Sequence, residues 1–92
     1  MIKFRIFETE EFLKRLQKIL GSNKPRMEKK LRIYVYPQLK KQPHYGNNIK
    51  KLRDYSPETW RYRVGDYRFF YEIDNEDRIV YMTSASHRKD SY

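Results

Sequence analysis

Residues 60–86 alternate apolar and polar side chains with a period of two, and two turn signals interrupt them. Gly65-Asp66 is a two-residue turn of the kind that closes β-hairpins, and residues 74–77 form the next turn. The pattern predicts three consecutive strands, at Trp60–Val64, Tyr67–Ile73 and Arg78–Ser86. Because a short turn fixes how its two strands pair, this region constrains the fold more than any other part of the chain.

The two-residue turn determines which side chains face one another across the first hairpin. It places Val64 opposite Tyr67, and counting outward gives the pairs Arg63–Arg68, Tyr62–Phe69 and Arg61–Phe70. Side chains alternate between the two sides of a sheet. One side gathers large apolar residues that we expect in the core: Trp60, Tyr62, Val64, Tyr67, Phe69 and Tyr71. The other side carries what we call the arginine face, made of Arg61, Arg63, Arg68 and Phe70.

The first half of the chain predicts one strand and two helices. Residues 2–7 alternate as a short strand, and Thr9 can cap a helix whose apolar stripe ends at Gly21. Residues 22–25 can begin a second helix, which Pro37 must kink, split or end because proline lacks a backbone N–H. Two helices joined so closely are expected to pack as a hairpin.

The order of elements predicts the fold class. Residues 40–59 are rich in proline, glycine and asparagine, and we expect them to be mostly loop, with Leu52 attached to the core. The order β-α-α-β-β-β then predicts a single α+β domain over residues 1–92. In this architecture the helical hairpin packs on a mostly antiparallel four-stranded sheet.

Composition excludes several classes of protein. An aromatic fraction of 16% argues against a disordered basic tail. No apolar run approaches the roughly 18 residues of a membrane span, and the alternating N-terminus does not read as a signal peptide. With no cysteine and only His44 and His87, a disulfide framework or a metal cage is not expected. We therefore expect a small cytoplasmic domain with no metal, no cofactor and no membrane partner.

The positive charge is concentrated in one segment. The net charge is +9, and residues 24–63 contain 12 basic and three acidic residues, so this segment accounts for the whole excess. Such concentration favours a polyanionic partner, either nucleic acid or an acidic protein segment. The alternative is a lysine-rich helix surface that only keeps the protein soluble.

The arginine face carries a stability cost. Arg63 lies opposite Arg68, and like charges directly opposed across strands are destabilising by up to about 1 kcal/mol. One interpretation is a solvated surface, partly neutralised by nearby carboxylates. The other is an anion site, because guanidinium groups match phosphate oxygens with paired donors. Phe70 could then stack on a base, or it could simply cover arginine side chains.

The segment His87-Arg88-Lys89-Asp90-Ser91-Tyr92 brings an imidazole, cations and a phenol to the end of the last strand. RNA can be cleaved without a metal when its own 2′-hydroxyl attacks the adjacent phosphate. That reaction needs a proton acceptor, cations that stabilise the phosphorane and a proton donor for the leaving oxygen. The imidazole of His87 is the type of side chain best suited to proton transfer near neutral pH, and arginines suit charge stabilisation. Terminal residues of this kind can also simply pack against the domain.

Three stretches of the sequence resemble the RelE/ParE superfamily of bacterial and archaeal toxin–antitoxin toxins. They are Leu52-Arg53, the string WRYRVGDYRFFYEI from Trp60 to Ile73, and the closing HRKDSY from His87 to Tyr92. With the helical hairpin and the strand order, the resemblance spans nearly the whole chain. It implies an acidic antitoxin as partner, and contact with operator DNA only through the antitoxin complex.

In the RNA-cleaving members, basic residues of the central strands hold mRNA in the ribosomal A site. The resemblance implies catalytic roles for Arg61, Arg63, Arg68, His87, Arg88 and Tyr92. RNA-binding roles are expected for Lys50, Lys51, Arg53 and Phe70, and the basic excess of residues 24–53 is expected to dock ribosomal RNA or the antitoxin. Arg61 and Arg63 stand where the best-studied enzymes have lysines. Because arginine stays protonated, His87 or Tyr92 must move the protons.

Three functions remain open from the sequence. The leading hypothesis is a metal-independent mRNA endoribonuclease toxin that acts on translating ribosomes. The second is a ParE-like toxin that inhibits DNA gyrase and cleaves no RNA. The third is a non-catalytic protein with the toxin fold, which acts only in an antitoxin-bound repressor complex. The arginine face, together with His87 and Tyr92, favours the first.

Overall fold

The computed structural model describes residues 3–88 of the chain. The elements are β1 Arg5–Glu8, α1 Glu10–Leu20, α2 Lys24–Lys30, α3 Tyr36–Lys41, β2 Ile49–Lys51, β3 Trp60–Val64, β4 Tyr67–Asp74 and β5 Ile79–His87. The sheet has the order β1-β5-β4-β3-β2, with β1 parallel to β5 and the other neighbours antiparallel. The α+β class is confirmed, but the described residues form five strands where we predicted four.

Helix α1 begins at a side-chain cap and ends at a glycine. The Phe12 N–H donates to Thr9 Oγ1 at 3.2 Å, and Glu10 and Glu11 place negative charge in the first turn. Gly21 has a φ of +50°, a conformation that glycine adopts without strain. The residues that α1 buries are Phe12, Leu16 and Leu20. The predicted limits of this helix are confirmed.

The second helical segment is split, not ended, near its proline. Helix α2 passes into a π-helical turn, Leu31–Val35, after which the Tyr36 N–H donates to the Leu31 carbonyl. Helix α3 follows at once with Pro37 in its first turn, a position where a missing N–H is tolerated. Of the three outcomes that we predicted for Pro37, splitting is the one observed. No helix within residues 3–88 is long and apolar enough to cross a membrane.

The β3–β4 hairpin has the predicted register. Val64 lies opposite Tyr67, and the next pairs are Arg63–Arg68, Tyr62–Phe69 and Arg61–Phe70. The Gly65-Asp66 turn is therefore two residues long, as the sequence indicated. The register separates the side chains of both strands into two sets on opposite sides of the sheet.

The helix-covered side of the sheet, which we call the core face, holds the hydrophobic core. Its central residues Tyr62, Phe69 and Tyr71 are buried among the apolar side chains of the helices. Both buried phenols are hydrogen-bonded, Tyr62 Oη to Gln38 Oε1 at 2.7 Å and Tyr71 Oη to the Pro43 carbonyl at 2.8 Å. Burying these tyrosines therefore leaves neither hydroxyl without a partner. The other predicted core residues are partly buried around them: Trp60, Val64 and Tyr67.

The fifth strand, β2, lies within the segment that we expected to be mostly loop. Its three residues pair antiparallel with Trp60–Tyr62 of β3 and form one edge of the sheet. A strand of three residues is too short to show an alternating pattern, so pairing with β3 rather than local sequence defines it. The prediction for Leu52, which follows β2, was wrong. Leu52 does not belong to the core cluster of the described residues, and it lines a cavity on the opposite side of the sheet.

A β-bulge at Thr83 reverses the sides of the sheet on which the last residues of β5 place their side chains. Phe70 pairs with Ser84 and Tyr71 pairs with Met82, so Thr83 is an extra residue in β5. Its Oγ1 donates to the Phe70 carbonyl at 3.3 Å. Because of the bulge, Met82 and Ala85 both lie on the core face, although they are three positions apart and regular alternation would place them on opposite sides.

Candidate functional site

Two rows of side chains cross the side of the sheet opposite the helices. Cross-strand pairing places Lys50, Arg61, Phe70 and Ser84 in one row, and Arg63, Arg68 and Ser86 in the next. The four residues of the arginine face thus come together as the register predicted. Lys50, a predicted RNA-binding residue, joins them directly opposite Arg61.

Two adjoining cavities lie along the arginine face. The larger has a volume of about 410 Å³ and is lined by Arg15, Leu52, Tyr55, Arg61, Arg68, Phe70 and Ser86. The smaller has a volume of about 90 Å³ and is lined by Arg63, Gly65, Asp66, Arg68 and Arg88. Arg68 lines both cavities, so an anion that extends from one to the other passes its side chain.

The Arg61 guanidinium lies in an unfavourable electrostatic environment. Burial lowers the pKa of Arg61, and the neighbouring charges of Arg63 and Arg68 lower it further. Its Nε is buried and has no hydrogen-bond partner among the described residues. The group still carries its charge at neutral pH, because arginine ordinarily titrates above pH 12. A bound anion would offset the repulsion between the arginines and would accept a hydrogen bond from the Arg61 Nε.

The smaller cavity joins the end of β5 to the β3–β4 turn. The Arg88 N–H donates to the Asp66 carbonyl at 2.7 Å, and the Arg88 guanidinium lies 3.9 Å from the Asp66 carboxylate. Arg63 Nε donates to the Gly65 carbonyl at 3.2 Å. Three of the predicted catalytic arginines, Arg63, Arg68 and Arg88, therefore meet here with one carboxylate.

His87 lies on the other side of the sheet from the arginine face. It pairs with Tyr67 across β4 and β5, and the two rings meet edge to face with centroids 4.8 Å apart. The bulge at Thr83 is the cause, because unbroken alternation along β5 would have placed His87 beside the arginines. The structure thus brings Arg88 to the arginine face and keeps His87 away from it. Tyr92, the other predicted proton carrier, lies outside the described residues.

The remaining predicted RNA-binding residues, Lys51 and Arg53, are not on the arginine face. Lys51 pairs with Trp60 on the opposite side of the sheet, and its Nζ lies 3.1 Å from the Glu58 carboxylate. Arg53 is exposed in the turn after β2. Of the three basic residues predicted here, Lys50 alone shares the surface of Arg61.

Sequence reasoning missed three residues that line the larger cavity: Arg15, Tyr55 and Ser86. Arg15 comes from α1, and its Nε donates to the Ala85 carbonyl at 3.3 Å. Ser86 faces Arg68 across the strands, and the bulge places it there. No local pattern marks Arg15, which reaches the cavity from a helix distant in sequence, or Tyr55, which lies in the loop between β2 and β3.

The described residues offer no site for a metal ion. Within residues 3–88, no group of three or more histidine, aspartate or glutamate side chains lies close enough together to hold one. The polar groups around the two cavities are mainly cationic, and cations of this kind suit an anionic ligand.

Sequence and structure comparisons give a consistent result. Residues 6–92 match the family described as "ParE toxin of type II toxin-antitoxin system, parDE". The chain is similar in structure to a protein in the toxin–antitoxin complex RelBE2 from Mycobacterium tuberculosis, with a TM-score of 0.76 and 27% identity over 98% of this chain and 97% of that one. No curated protein sequence shows significant similarity to this chain.

Two further structures share the fold at lower identity. A chain of the archaeal RelE–RelB complex from Pyrococcus horikoshii has a TM-score of 0.67 and 20% identity, covering 96% of this chain and 98% of that one. A mutant of the Escherichia coli toxin RelE in the free state has a TM-score of 0.66 and 22% identity, covering 98% of this chain and 88% of that one. At such identities the likeness shows the fold alone.

Proposed function

The chain belongs to the ParE toxin family of type II toxin–antitoxin systems, within the RelE/ParE superfamily, and on that premise we propose that it is an endoribonuclease that cleaves mRNA on the ribosome. One observation carries the proposal. Three arginines on neighbouring strands converge beside Phe70 at the larger and smaller cavities, and their mutual repulsion lowers stability. A phosphodiester would offset this repulsion, and the partly exposed Phe70 ring beside it suits a base.

The proposed reaction uses the RNA's own hydroxyl as nucleophile. The 2′-oxygen of one nucleotide bonds to the adjacent phosphorus, and the bond from that phosphorus to the 5′-oxygen of the next nucleotide breaks. The 2′-hydroxyl proton passes to a base, and the departing 5′-oxygen takes a proton from an acid. The products are a 2′,3′-cyclic phosphate and a free 5′-hydroxyl. Atoms and charge balance without any further reactant.

We assign the charge stabilisation to the arginines. Arg61 and Arg68 line the larger cavity together and would stabilise the negative charge that develops on the phosphorane oxygens. Arg63 and Arg88 line the smaller cavity and would hold the next phosphate of the chain. Lys50, opposite Arg61, would contact the backbone on the other side.

Proton transfer needs a group that can change its charge near neutral pH or that can donate an O–H. Tyr92 and His87 remain the proposed carriers. His87 would have to leave its contact with Tyr67 to reach the arginine face. We therefore propose Tyr92 as the group that touches the reacting atoms, with His87 as the alternative.

A mapping of mRNA 5′ ends after induction in cells tests the proposed function. We expect codon-phased cuts with the wild type. The Arg68→Ala variant should lose cleavage by a factor of about 10²–10³, the usual effect of removing one charge-stabilising group. Arg5→Ala is the matched control, since Arg5 is an exposed arginine outside the basic segment and lines neither cavity. Intact mRNA with the wild type, or equal cleavage by Arg68→Ala, would contradict the proposal.

We further propose an acidic antitoxin as the inactivating partner. The Mycobacterium tuberculosis structure that resembles this chain is a toxin–antitoxin complex, and the basic excess of residues 24–53 offers complementary charge. Operator DNA would be contacted only through the antitoxin. Co-expression with the product of the adjacent gene should give a complex that copurifies and weakens at high salt. Recovery of the toxin alone at low salt would contradict this partner.

Inhibition of DNA gyrase without RNA cleavage is a second candidate function. The placement of His87 against Tyr67 favours it, because no histidine lines either described cavity of the arginine face. Under this alternative, induction should arrest growth and cause DNA damage while mRNA stays intact. The third candidate function, a non-catalytic component of a repressor complex, should cause neither growth arrest with DNA damage nor mRNA cleavage.

A further inference from the structure

Among residues 3–88, no strand neighbours the second half of β5 on one of its two sides. Strand β1 pairs with β5 only from Ile79 to Met82, and the chain then turns into α1. Beyond Met82, the β5 carbonyls that do not point toward β4 have no strand to pair with among the described residues. Arg15 of α1 meets one of them, because its Nε donates to the Ala85 carbonyl at 3.3 Å.

This hydrogen bond orients the rest of the Arg15 side chain. The guanidinium is planar, so fixing Nε also restricts the direction of its two amino groups. Arg15 lines the larger cavity with Arg61 and Arg68. The cavity thus receives guanidinium groups from both the helix layer and the sheet.

The larger cavity also differs from the smaller one in its balance of charge. Among the described residues that line it, three are arginines and none is acidic. The smaller cavity, in contrast, includes Asp66 within 3.9 Å of Arg88. An anion in the larger cavity therefore meets positive charge without a competing carboxylate from the described lining.

We infer that Arg15 is a phosphate-binding residue of the larger cavity. In this cavity, one phosphate of a polynucleotide binds between helix α1 and the arginine face. The inference deepens the proposed RNA-cleaving function and rests on it for the identity of the polynucleotide. If Arg15 served only to satisfy the Ala85 carbonyl, one neutral donor would be enough, and its charge would have no effect on binding.

The first test measures binding of a single-stranded RNA with 2′-O-methyl groups, which cannot be cleaved by its own hydroxyl. We expect Arg15→Gln to weaken binding at least tenfold and to reduce the slope of log affinity against log salt by about 0.7, the value for one phosphate contact on a single strand. Arg15→Lys, which keeps the charge, should keep the slope. Lys14→Gln is the matched control, since Lys14 is an exposed cation of the same helix, and it should change neither quantity.

The second test measures the melting temperature in inorganic phosphate, which probes the anion site without RNA. Phosphate should raise the melting temperature of the wild type and of Lys14→Gln equally, and that of Arg15→Gln by less. Equal shifts in all three proteins, or an unchanged salt slope in Arg15→Gln, would overturn the inference. An Arg15-dependent phosphate shift in a protein that cuts no mRNA would support the inference and contradict the proposed function.

Discussion

The core face and the arginine face are built from alternate residues of the same two strands, yet they follow opposite physical rules. On the core face, Tyr62, Phe69 and Tyr71 are at most 4% exposed, and both phenol oxygens are hydrogen-bonded. On the arginine face, like charges lie directly opposite each other, and the buried Nε of Arg61 has no partner among the described residues. The core face supplies stability, and the arginine face gives part of it up, which under the proposed function serves to hold an anion.

Phe69 and Phe70 are adjacent in sequence and lie on opposite faces, so they test the comparison most directly. Phe69 is fully buried and packs against Phe12 with ring centroids 6.2 Å apart. Phe69→Ala should lower the free energy of unfolding by about 3–5 kcal/mol. Phe70→Ala should cost less than half as much, because its ring is only partly buried. Urea denaturation measures both, and similar losses would show that the arginine face is packed like a core.

Alkaline pH should lower the free energy of unfolding through two tyrosines on the helix-covered side. Burial raises the pKa of Tyr71 and of Tyr36, and the hydrogen bond that Tyr36 donates to Glu8 at 2.6 Å raises the pKa of Tyr36 further. A tyrosine whose pKa is higher in the folded state contributes its full stability below its unfolded pKa of 10 and loses it as the pH rises further. The free energy of unfolding should therefore fall above pH 10, by up to about 1.4 kcal/mol per pH unit for each tyrosine.

The control for the alkaline effect is the double variant Tyr36→Phe, Tyr71→Phe. It should be less stable at neutral pH, because it loses two hydrogen bonds worth about 1 kcal/mol each. Its free energy of unfolding should depend less steeply on pH above 10. A slope equal to that of the wild type would show that other groups cause the alkaline unfolding.

Removing a charge from the arginine face should raise the free energy of unfolding, whereas the substitutions on the core face lower it. Arg61→Met relieves the repulsion from Arg63 and Arg68 and removes the buried Nε, so we expect a gain of about 1 kcal/mol. For a domain of this size, that gain corresponds to a melting temperature higher by about 4–8 °C. Because arginine stays protonated in proteins, the repulsion persists at pH 7 and calorimetry there measures it.

Arg53→Met is the matched control, since Arg53 is an exposed cation in a turn. It should leave the melting temperature unchanged. Phosphate should stabilise the wild type more than Arg61→Met, because the variant has lost part of the anion site. A melting temperature that falls in Arg61→Met would contradict the view that stability is given up on this face.

The smallest effects should come from the end of β5, where neighbouring residues again lie on opposite sides. His87→Ala should lower the free energy of unfolding by about 0.5–1 kcal/mol through loss of the Tyr67 ring contact. It should leave the affinity for uncleavable RNA unchanged. Arg88→Ala should weaken that affinity and reduce its salt dependence, because Arg88 lines the smaller cavity. A loss of RNA affinity in His87→Ala would show that the imidazole turns to the arginine face.

Local chemistry was enough to predict most of the fold. The Gly65-Asp66 turn fixed the pairing of β3 and β4, and period-two alternation assigned each residue of the hairpin to the correct face. Thr9 and Gly21 marked the ends of α1 for reasons that lie within a few residues of each. In each case the signal and the structure that it specifies are adjacent in the chain.

The candidate site was only partly predictable for the same reason. The arginine face follows from the hairpin, so Arg61, Arg63 and Arg68 were found together. Strand β2 was missed, because it consists of three residues that are defined by pairing with β3. Arg15 was missed, because its contact with Ala85 joins residues 70 positions apart.

The sequence by itself determined the fold class, the hairpin register and the division of that hairpin into an apolar and a cationic side, because turn chemistry and side-chain alternation are local properties of the backbone. Only the tertiary structure decided the composition of the two cavities. The bulge at Thr83 turns His87 toward Tyr67 and Ser86 toward Arg68, and packing of α1 against β5 brings Arg15 to the cavity. These placements depend on which strands and helices become neighbours, and no local pattern specifies them.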